Sequence, residues 1–256
     1  MFVFLHIPKT AGTSFRYILE NNFALGHCHS GHVRRGVFTH SDLEWTRRLF
    51  PSLRSIAGHN LVDPIALFGP DAFHMTFLRE PVARVFSHYQ DHVVRGRSKT
   101  SFKEAIDKVD FLSDLHVQRM AGGRDLDKAK RYLEKCKFVG LTERFDLSLH
   151  ILKQVSPVPL ELVYCRRVVA RDNTVKKALE SDPQIVALAR ERNQLDLALY
   201  DFALREIFPR ECQRAGFSPD AKVTSFDRGA SEFSARFVMG RIYNRCVYRQ
   251  LAKFRQ

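Results

Sequence analysis

Long apolar runs are missing from this sequence of 256 residues, and their absence excludes several classes of protein. No stretch reaches the roughly 18–20 apolar residues that a membrane-spanning helix requires. The short run at residues 2–5 is interrupted at once by His6, Pro8 and Lys9, so it lacks the apolar region of a signal peptide. We therefore expect a soluble, untargeted chain in the cytoplasm.

Cysteine is scarce and scattered. The five cysteines are Cys28, Cys136, Cys165, Cys212 and Cys246. No two of them form a Cys-x-x-Cys pair, and an odd number cannot pair completely. This pattern argues against a structural zinc site and against a disulfide framework. Unpaired thiols are typical of a reducing compartment.

Acidic residues are in the minority. The chain has 41 Lys and Arg against 28 Asp and Glu, a net charge of +13 and a pI near 9.8. Such an excess of positive charge attracts anionic ligands. It fits a nucleotide, a polyanionic acceptor, nucleic acid or an anionic membrane surface equally well. Hydrophobic residues make up 45% of the chain, enough for the core of one domain of ordinary size.

The N-terminal segment has the pattern of an anion-binding loop. An apolar run at residues 2–5 is followed by a turn of small residues and then by Phe15, Ile18, Leu19 and Phe23 at helical spacing. A strand, loop and helix in this order present backbone N–H groups and a helix N-terminus to a phosphate. The candidate binding residues are Pro8, Lys9, Thr10, Ala11, Gly12, Thr13 and Ser14.

The loop is not a Walker A motif, because that motif places its lysine after the second glycine. Here Lys9 precedes Gly12, and no earlier glycine exists. Taken alone, the segment could also be an ordinary helix start, since Ser and Thr favour that position anyway.

A second candidate site follows a predicted strand at residues 75–78. Arg79 stands at the C-terminal end of this strand, where open α/β sheets bind ligands. Pro81 suits the first turn of the next helix, and Ser87 lies two turns into it. The alternative is that Arg79 pairs with a surface acid and that Ser87 is incidental.

Together the two segments resemble the carbohydrate sulfotransferases. The similarity is closest to the branch of heparan sulfate and uronyl 2-O-sulfotransferases and their bacterial relatives. It extends to residues 117–122, 138–145 and 193–203 and spans roughly residues 2–208. The resemblance implies a P-loop-NTPase-like, three-layer α/β fold with a central, mainly parallel sheet. Strand patterns that alternate with helical patterns indicate the same sheet independently.

The resemblance also implies roles for these residues. The first loop would hold the 5′-phosphosulfate of the donor PAPS (3′-phosphoadenosine-5′-phosphosulfate), and Arg79 and Ser87 would hold its 3′-phosphate. No metal is expected. The acceptor would be a hydroxyl of a saccharide, with an acidic glycan favoured, and no nucleic-acid partner is expected. The excised lumenal domain of a Golgi enzyme becomes the alternative to a cytoplasmic location.

The catalytic residues are expected to be Lys9 and a histidine. Lys9 would stabilise charge on the bridging oxygen of the donor. His59 follows Gly58 at the end of a predicted strand and is the favoured base, whereas His32 in a His-rich loop is the competitor. The family pattern has a His-Gly-His pair, but Ala57 occupies the first of these positions here.

The remaining expectations concern organisation. We expect a sulfotransferase domain at residues 1–217 and a basic, amphipathic extension at 218–256, packed on the domain or in contact with a membrane. The extension carries a loose apolar stripe: Phe233, Phe237, Met239, Ile242, Tyr243, Val247 and Leu251. Residues 95–100 could form a solvated loop or a lid. We also expect a loop with short helices at residues 23–54, a strand-like run that ends at residue 165, and a helix at 183–208.

Two other functions are open. The first is an ATP-dependent phosphotransferase, and the second is a non-catalytic binder of polyanions or nucleic acid.

Overall fold

The computed structural model describes residues 1–32, 36–97, 99–164, 173–228 and 234–254. Three positions considered above, Ser98, Cys165 and Phe233, lie outside these ranges. Within them, one sheet of five parallel strands has the order β2-β3-β1-β4-β5. The strands are β1 (Phe2–Leu5), β2 (His27–His29), β3 (Ser55–Gly58), β4 (Phe73–Leu78) and β5 (Phe138–Leu141). This sheet, flanked by helices, confirms the predicted fold class.

Helices follow or separate the strands. In chain order they are α1 (Gly12–Phe23), α2 (His40–Leu49), α3 (Pro64–Phe68), α4 (Pro81–Val94), α5 (Phe102–Lys108), α6 (Leu115–Ala121), α7 (Leu126–Lys135), α8 (Phe145–Val155), α9 (Thr174–Ser181), α10 (Pro183–Glu191), α11 (Gln194–Phe202), α12 (Phe208–Arg214), α13 (Ala235–Ile242) and α14 (Arg249–Phe254). Wider π turns join α11 to α12 at Ala203–Ile207 and α13 to α14 at Tyr243–Tyr248.

Strand register places one end of the sheet at the candidate site. Leu5 at the end of β1 pairs with Gly58 of β3 and with Thr76 of β4, and Leu78 pairs with Leu141 of β5. The strands run parallel, so the segments that follow β1, β3, β4 and β5 all leave the sheet at the same edge. In open parallel sheets this carboxyl edge is where ligands bind.

The core explains why these segments form strands. Strands β1, β3 and β5 are buried along their whole length, as expected for a parallel sheet covered on both faces. Phe4, Phe15 and Phe77 pack ring to ring between the sheet and α1. Gly140 is required opposite Phe77, because a Cβ at this position would approach the Phe77 ring to 2.7 Å or closer.

The loop before α6 and the start of α11 cap each other. The Asp114 carboxylate accepts the backbone N–H groups of Leu195 and Asp196. In return the Asp196 carboxylate accepts those of His116 and Val117. Two helix starts that are about 80 residues apart in sequence therefore complete each other's hydrogen bonds.

Several boundaries differ from the sequence-based expectation. Strand β2 occupies a segment expected to be a loop, and residues 157–163, expected to lead into a strand, form no ladder. The helix expected at 183–208 is interrupted at Asn193, whose buried amide bonds the carbonyls of Leu112 and Ala189. It then continues past Pro209 to Arg214, because the preceding π turn places that proline near the start of a new α segment.

The C-terminal helix 235–254 packs on the body of the molecule. Phe237 packs against Tyr17, with the two rings tilted by 33°. The Asn244 amide donates to the carbonyl of His27, and the hydroxyl of the fully buried Tyr248 bonds Thr46. The predicted boundary between residues 217 and 218 stays a prediction. Among the described residues, no helix is long and apolar enough to cross a membrane.

Candidate active site

The loop after β1 is held in a conformation that turns its backbone toward one cavity. Lys9 and Ala11 both adopt left-handed backbone angles, with φ of 70° and 58°. Helix α1 then begins at Gly12 without a side-chain cap, so its first N–H groups are not used by a capping side chain. Such a helix start is an anion site, because the N–H groups and the helix dipole both favour negative charge.

Gly12 is required by its neighbour. A Cβ at this position would collide with the imidazole ring of His6, which is buried at the end of β1. Thr10 has a structural role instead of a ligand-facing one, since its buried hydroxyl donates to the carbonyl of Ile7. Of the loop residues expected to bind the donor, Thr10 can therefore contribute only backbone atoms.

A cavity of about 800 Å³ opens beside this loop, and we call it the nucleotide cavity. It brings together Lys9, Ala11, Gly12, Thr13, Ser14, Arg79 and Ser87, seven of the residues expected to bind the donor. The other lining residues are His6, Gln90, Asp91, Val94, Arg95, Thr142, Glu143, Phe145, Tyr164, Asn173 and Lys176.

Arg79 connects the two predicted segments directly. It follows β4, and its Nη1 donates to the carbonyl of Lys9 at 3.0 Å. Burial lowers the pKa of Arg79, and the carboxylates of Glu143 and Glu80 oppose that shift. The guanidinium is thus a half-buried cation at the sheet edge, with its other N–H groups available to an anionic ligand.

Lys9 forms an ion pair inside the cavity. Its Nζ lies 3.6 Å from Oδ1 of Asp91, which also accepts from Nε of Arg95 at 3.0 Å. Burial lowers the pKa of Lys9, and Asp91 offsets part of this shift. Burial alone would raise the pKa of Asp91, but Lys9 and Arg95 outweigh it, so the carboxyl's pKa is below its ordinary value. Asp91 therefore stays ionised beside two cations.

A second cavity of about 500 Å³ adjoins the first, and we call it the histidine cavity. Its lining includes Pro8, His59, His88, His92, Arg97 and Phe111. Five residues line both cavities and form a shared wall: His6, Lys9, Thr13, Asp91 and Arg95. The structure therefore brings His59 next to the loop, across this wall from the nucleotide cavity.

The hydrogen bond of His59 fixes its tautomer. Nδ1 lies 2.7 Å from the backbone carbonyl of His6, which can only accept, so Nδ1 carries the proton. Nε2 is then the nitrogen with a free lone pair. Burial lowers the pKa of His59 to about 4, more than the carbonyl bond can offset. At neutral pH, His59 is an uncharged imidazole whose Nε2 is able to take a proton.

The competing histidine lies elsewhere. His32 lines neither cavity. Its ring lies 4.8 Å from that of His29 and 6.4 Å from that of Tyr248, on the side of the C-terminal helix. The structure therefore places His59, but not His32, at the cavities, and burial lowers the pKa of both to about 4.

The histidine cavity combines positive charge with a ring surface. The His88 ring stacks on that of Phe111 at 5.9 Å and 17°, and Arg119 lies over the same phenyl ring at 5.3 Å. Arg95 and Arg97 come from the basic segment that was considered as a lid. An apolar ring surface with a few convergent charged groups is typical of a binding site for an organic anion.

Some cavity residues were not found from the sequence. Gln90, Asp91 and Val94 lie three, four and seven positions after Ser87, so they share its face of α4. This spacing was available in the sequence. Asn173 and Lys176 come from a segment about 85 residues further on. Gln90 joins them to α4, since its amide donates to the Asn173 side chain and accepts the Lys176 backbone N–H.

No group of three or more His, Cys, Asp or Glu is arranged to hold a metal ion in the part of the chain that the structure describes.

Comparison with known proteins identifies the family. A family model described as the Sulfotransferase family matches residues 1–203. This range includes the cavity-lining residues of the loop after β1, of the end of β4 and of α4. The chain belongs to this sulfotransferase family. The expected resemblance to carbohydrate sulfotransferases is confirmed, because curated relatives of this sulfotransferase carry such names.

Two of these relatives are heparan-sulfate 6-O-sulfotransferase 1 of Cricetulus griseus and of Mus musculus, each 26% identical over a 277-residue alignment. The alignments cover 82% of this chain and 68% and 66% of the relatives, so the chain spans about two thirds of their length. Their names give the 6-O position, whereas the motifs resemble the 2-O branch, and the branch stays a prediction. The crystal structure of a sulfotransferase from Alicyclobacillus acidocaldarius is 18% identical, with a TM-score of 0.37 over 77% of this chain and 95% of that one.

The later motifs of this sulfotransferase have different roles in the structure. Thr142 and Glu143 follow β5 and line the nucleotide cavity. Asp196, in contrast, is fully buried and holds backbone N–H groups of α6. The segment 138–145 therefore lies at the site, whereas the segment 193–203 stabilises the fold around it.

Proposed function

We propose that this sulfotransferase transfers the sulfuryl group of PAPS to a hydroxyl of an acidic saccharide, with His59 as the base. The observation that carries the proposal is the shared wall. Lys9 and Thr13 line the nucleotide cavity on one side and the histidine cavity, which His59 also lines, on the other. A donor and an acceptor placed in the two cavities would meet at this wall, as an in-line transfer requires.

The nucleotide cavity fits a donor with two phosphate-bearing positions. The uncapped start of α1, with the close approach that Gly12 allows, suits a phosphosulfate. Arg79 and Ser87 line the same cavity from β4 and α4, where they would hold a 3′-phosphate. That second phosphate is what separates PAPS from ATP.

The reaction can be written with these residues. The acceptor oxygen attacks sulfur, and its proton passes to Nε2 of His59. The bond between sulfur and the bridging oxygen breaks, and the electron pair leaves with the 5′-phosphate of the desulfated product PAP (3′,5′-bisphosphoadenosine). Lys9 stabilises the negative charge that develops on that oxygen. In the free protein Asp91 holds this lysine, and the donor would take over the ion pair.

The acceptor class follows from the second cavity. Lys9, Arg95 and Arg97 bring positive charge to a cavity in which Asp91 is the one carboxylate among the described lining residues. The Phe111 and His88 rings offer a flat surface for a sugar ring. We therefore propose an acidic glycan or glycoconjugate as acceptor and a nucleotide as donor, without a nucleic-acid partner.

Calorimetry without metal tests the donor site. We expect PAP to bind at least tenfold more tightly than ADP or AMP, and Arg79→Ala to weaken PAP binding by about 10–100-fold, the size of a hydrogen bond to a charged group. Arg192→Ala is the matched control, because Arg192 pairs with Asp107 on the exposed surface. Equal binding of the three nucleotides, or a requirement for Mg²⁺, would favour the phosphotransferase instead.

Transfer of labelled sulfate from PAPS to heparan sulfate and to its desulfated form tests the chemistry. We expect His59→Asn to keep PAP binding and to lower kcat by about 10²–10⁴-fold, the usual contribution of a general base. A His32→Asn variant serves as control and should keep its turnover. If His59→Asn keeps full kcat, His59 is not the base.

A further inference from the structure

The C-terminal helix has a second apolar face that the body of the molecule does not cover. Residues 235–254 turn Phe237, Gly240, Asn244, Tyr248 and Ala252 inward. The opposite side exposes large apolar side chains, with Ile242 at 55% and Phe254 at 86% exposure. Its further members are Val238, Met239, Val247 and Leu251, and together these six residues define the outer face.

The π turn explains how one helix keeps two apolar faces in line. The inward residues 240, 244, 248 and 252 recur every four positions, whereas an α-helix has 3.6 residues per turn, so such a row drifts by about 40° at each step. The wider turn at Tyr243–Tyr248 absorbs much of this drift. Val247, within this turn, and Leu251, after it, are exposed as Ile242 is.

The charge of this helix has one sign. Residues 235–254 contain five Lys and Arg and no Asp or Glu. Arg241 is used internally, because it pairs with Glu20 and stacks on Tyr17. Arg245, Arg249 and Lys253 are exposed and lie along one flank of the outer face.

We propose that the outer face docks on an anionic lipid membrane, with the helix lying parallel to the surface. A helix with an apolar stripe and a cationic flank binds at the lipid interface, since the stripe enters the headgroup boundary while the cations meet anionic headgroups. A second copy of the chain is disfavoured as the occupant, because pairing this face with itself would bring two rows of cations together. This docking is independent of the proposed reaction.

Sedimentation of the full chain with vesicles tests the proposal. We expect binding to vesicles of 70% phosphatidylcholine and 30% phosphatidylserine at least tenfold stronger than binding to phosphatidylcholine alone. The variants Ile242→Gln/Leu251→Gln and Arg245→Gln/Arg249→Gln should each lower the partition coefficient at least tenfold. The control Leu204→Gln/Arg205→Gln makes the same changes at an exposed site on another helix and should bind as the wild type does.

Three outcomes would overturn the proposal. The first is no binding of the wild type to the anionic vesicles. The second is equal loss in the control variant. The third is a dimer in sedimentation velocity that Ile242→Gln/Leu251→Gln dissolves, which would assign the face to a second copy. Urea unfolding of each variant, expected to match that of the wild type, shows that the variants are folded.

Discussion

The requirement for Gly12 can be tested as a coupling with His6. An alanine at position 12 would place its Cβ 2.9 Å from Cγ of the His6 ring and closer still to two other ring atoms. Carbon atoms in contact are normally 3.5–4.0 Å apart. Overpacking of this kind costs about 1–3 kcal/mol. For a chain of this size, 1 kcal/mol corresponds to about 2–4 °C, so Gly12→Ala should lower Tm by about 2–12 °C.

His6→Ala removes the atoms that the new methyl group would meet. The hydrogen bond between the His6 carbonyl and His59 is a backbone interaction and is kept. The double variant Gly12→Ala/His6→Ala should therefore be about as stable as His6→Ala alone. The resulting coupling energy equals the overpacking cost, about 1–3 kcal/mol.

Urea unfolding of the four proteins, with and without PAP, measures this coupling. We expect Gly12→Ala to weaken PAP binding at least tenfold, because the displaced ring or loop disturbs the start of α1, and the double variant to regain part of it. Additive effects within about 0.5 kcal/mol would refute the reasoning, since they would show that the His6 ring does not impose glycine at position 12.

Three further predictions concern ionisable groups. At saturating donor and with a neutral acceptor, kcat should fall on the acid side with a midpoint near pH 4 to 5, because burial lowers the pKa of His59 to about 4 and the base must be unprotonated. A midpoint near pH 6.5 would contradict this. Asp91→Asn should tighten PAP binding about 3–10-fold in calorimetry, because it removes a negative charge from the nucleotide cavity, and unchanged or weaker binding would show that Asp91 serves the site in another way. The free energy of unfolding should fall as pH drops from 6.5 toward 3, because burial lowers the pKa of His27 to about 3 and the unfolded chain then binds more protons than the folded one. Urea unfolding between pH 5.5 and 4.5 measures the slope of this free energy against pH, which should be about 1.4 kcal/mol per pH unit smaller in His27→Gln. Equal slopes in the two proteins would contradict the assignment.

The main strands and helices could be predicted from local patterns. The apolar runs of β1, β3, β4 and β5 and the periodic stripes of α1 and α4 are continuous in sequence, so each specifies its own element. Strand β2 has only three residues, His27–His29, with no alternation and no apolar run. It forms because β3 offers an open edge, and this is a tertiary cause that no local pattern contains.

The candidate site likewise combines residues that local patterns predict with contacts that depend on the tertiary fold. The loop and Arg79 could be expected because each directly follows a strand, and parallel strands bring such ends together. The ion pair of Asp91 with Lys9 joins residues 82 positions apart, and it depends on the direction in which α4 leaves the sheet. The tautomer of His59 likewise depends on a carbonyl, that of His6, which only the sheet register places beside it.

The reciprocal capping of α6 and α11 has a consequence for the order of folding. Asp114 and Asp196 each hold backbone N–H groups of the other's helix, across about 80 residues of chain. Neither helix start can be completed by its own local sequence, and closing a loop of this length must precede the stabilising contact. We therefore expect this corner of the molecule to become ordered late, after the sheet and α1 have formed. Asp196→Asn should then speed unfolding more than it slows refolding.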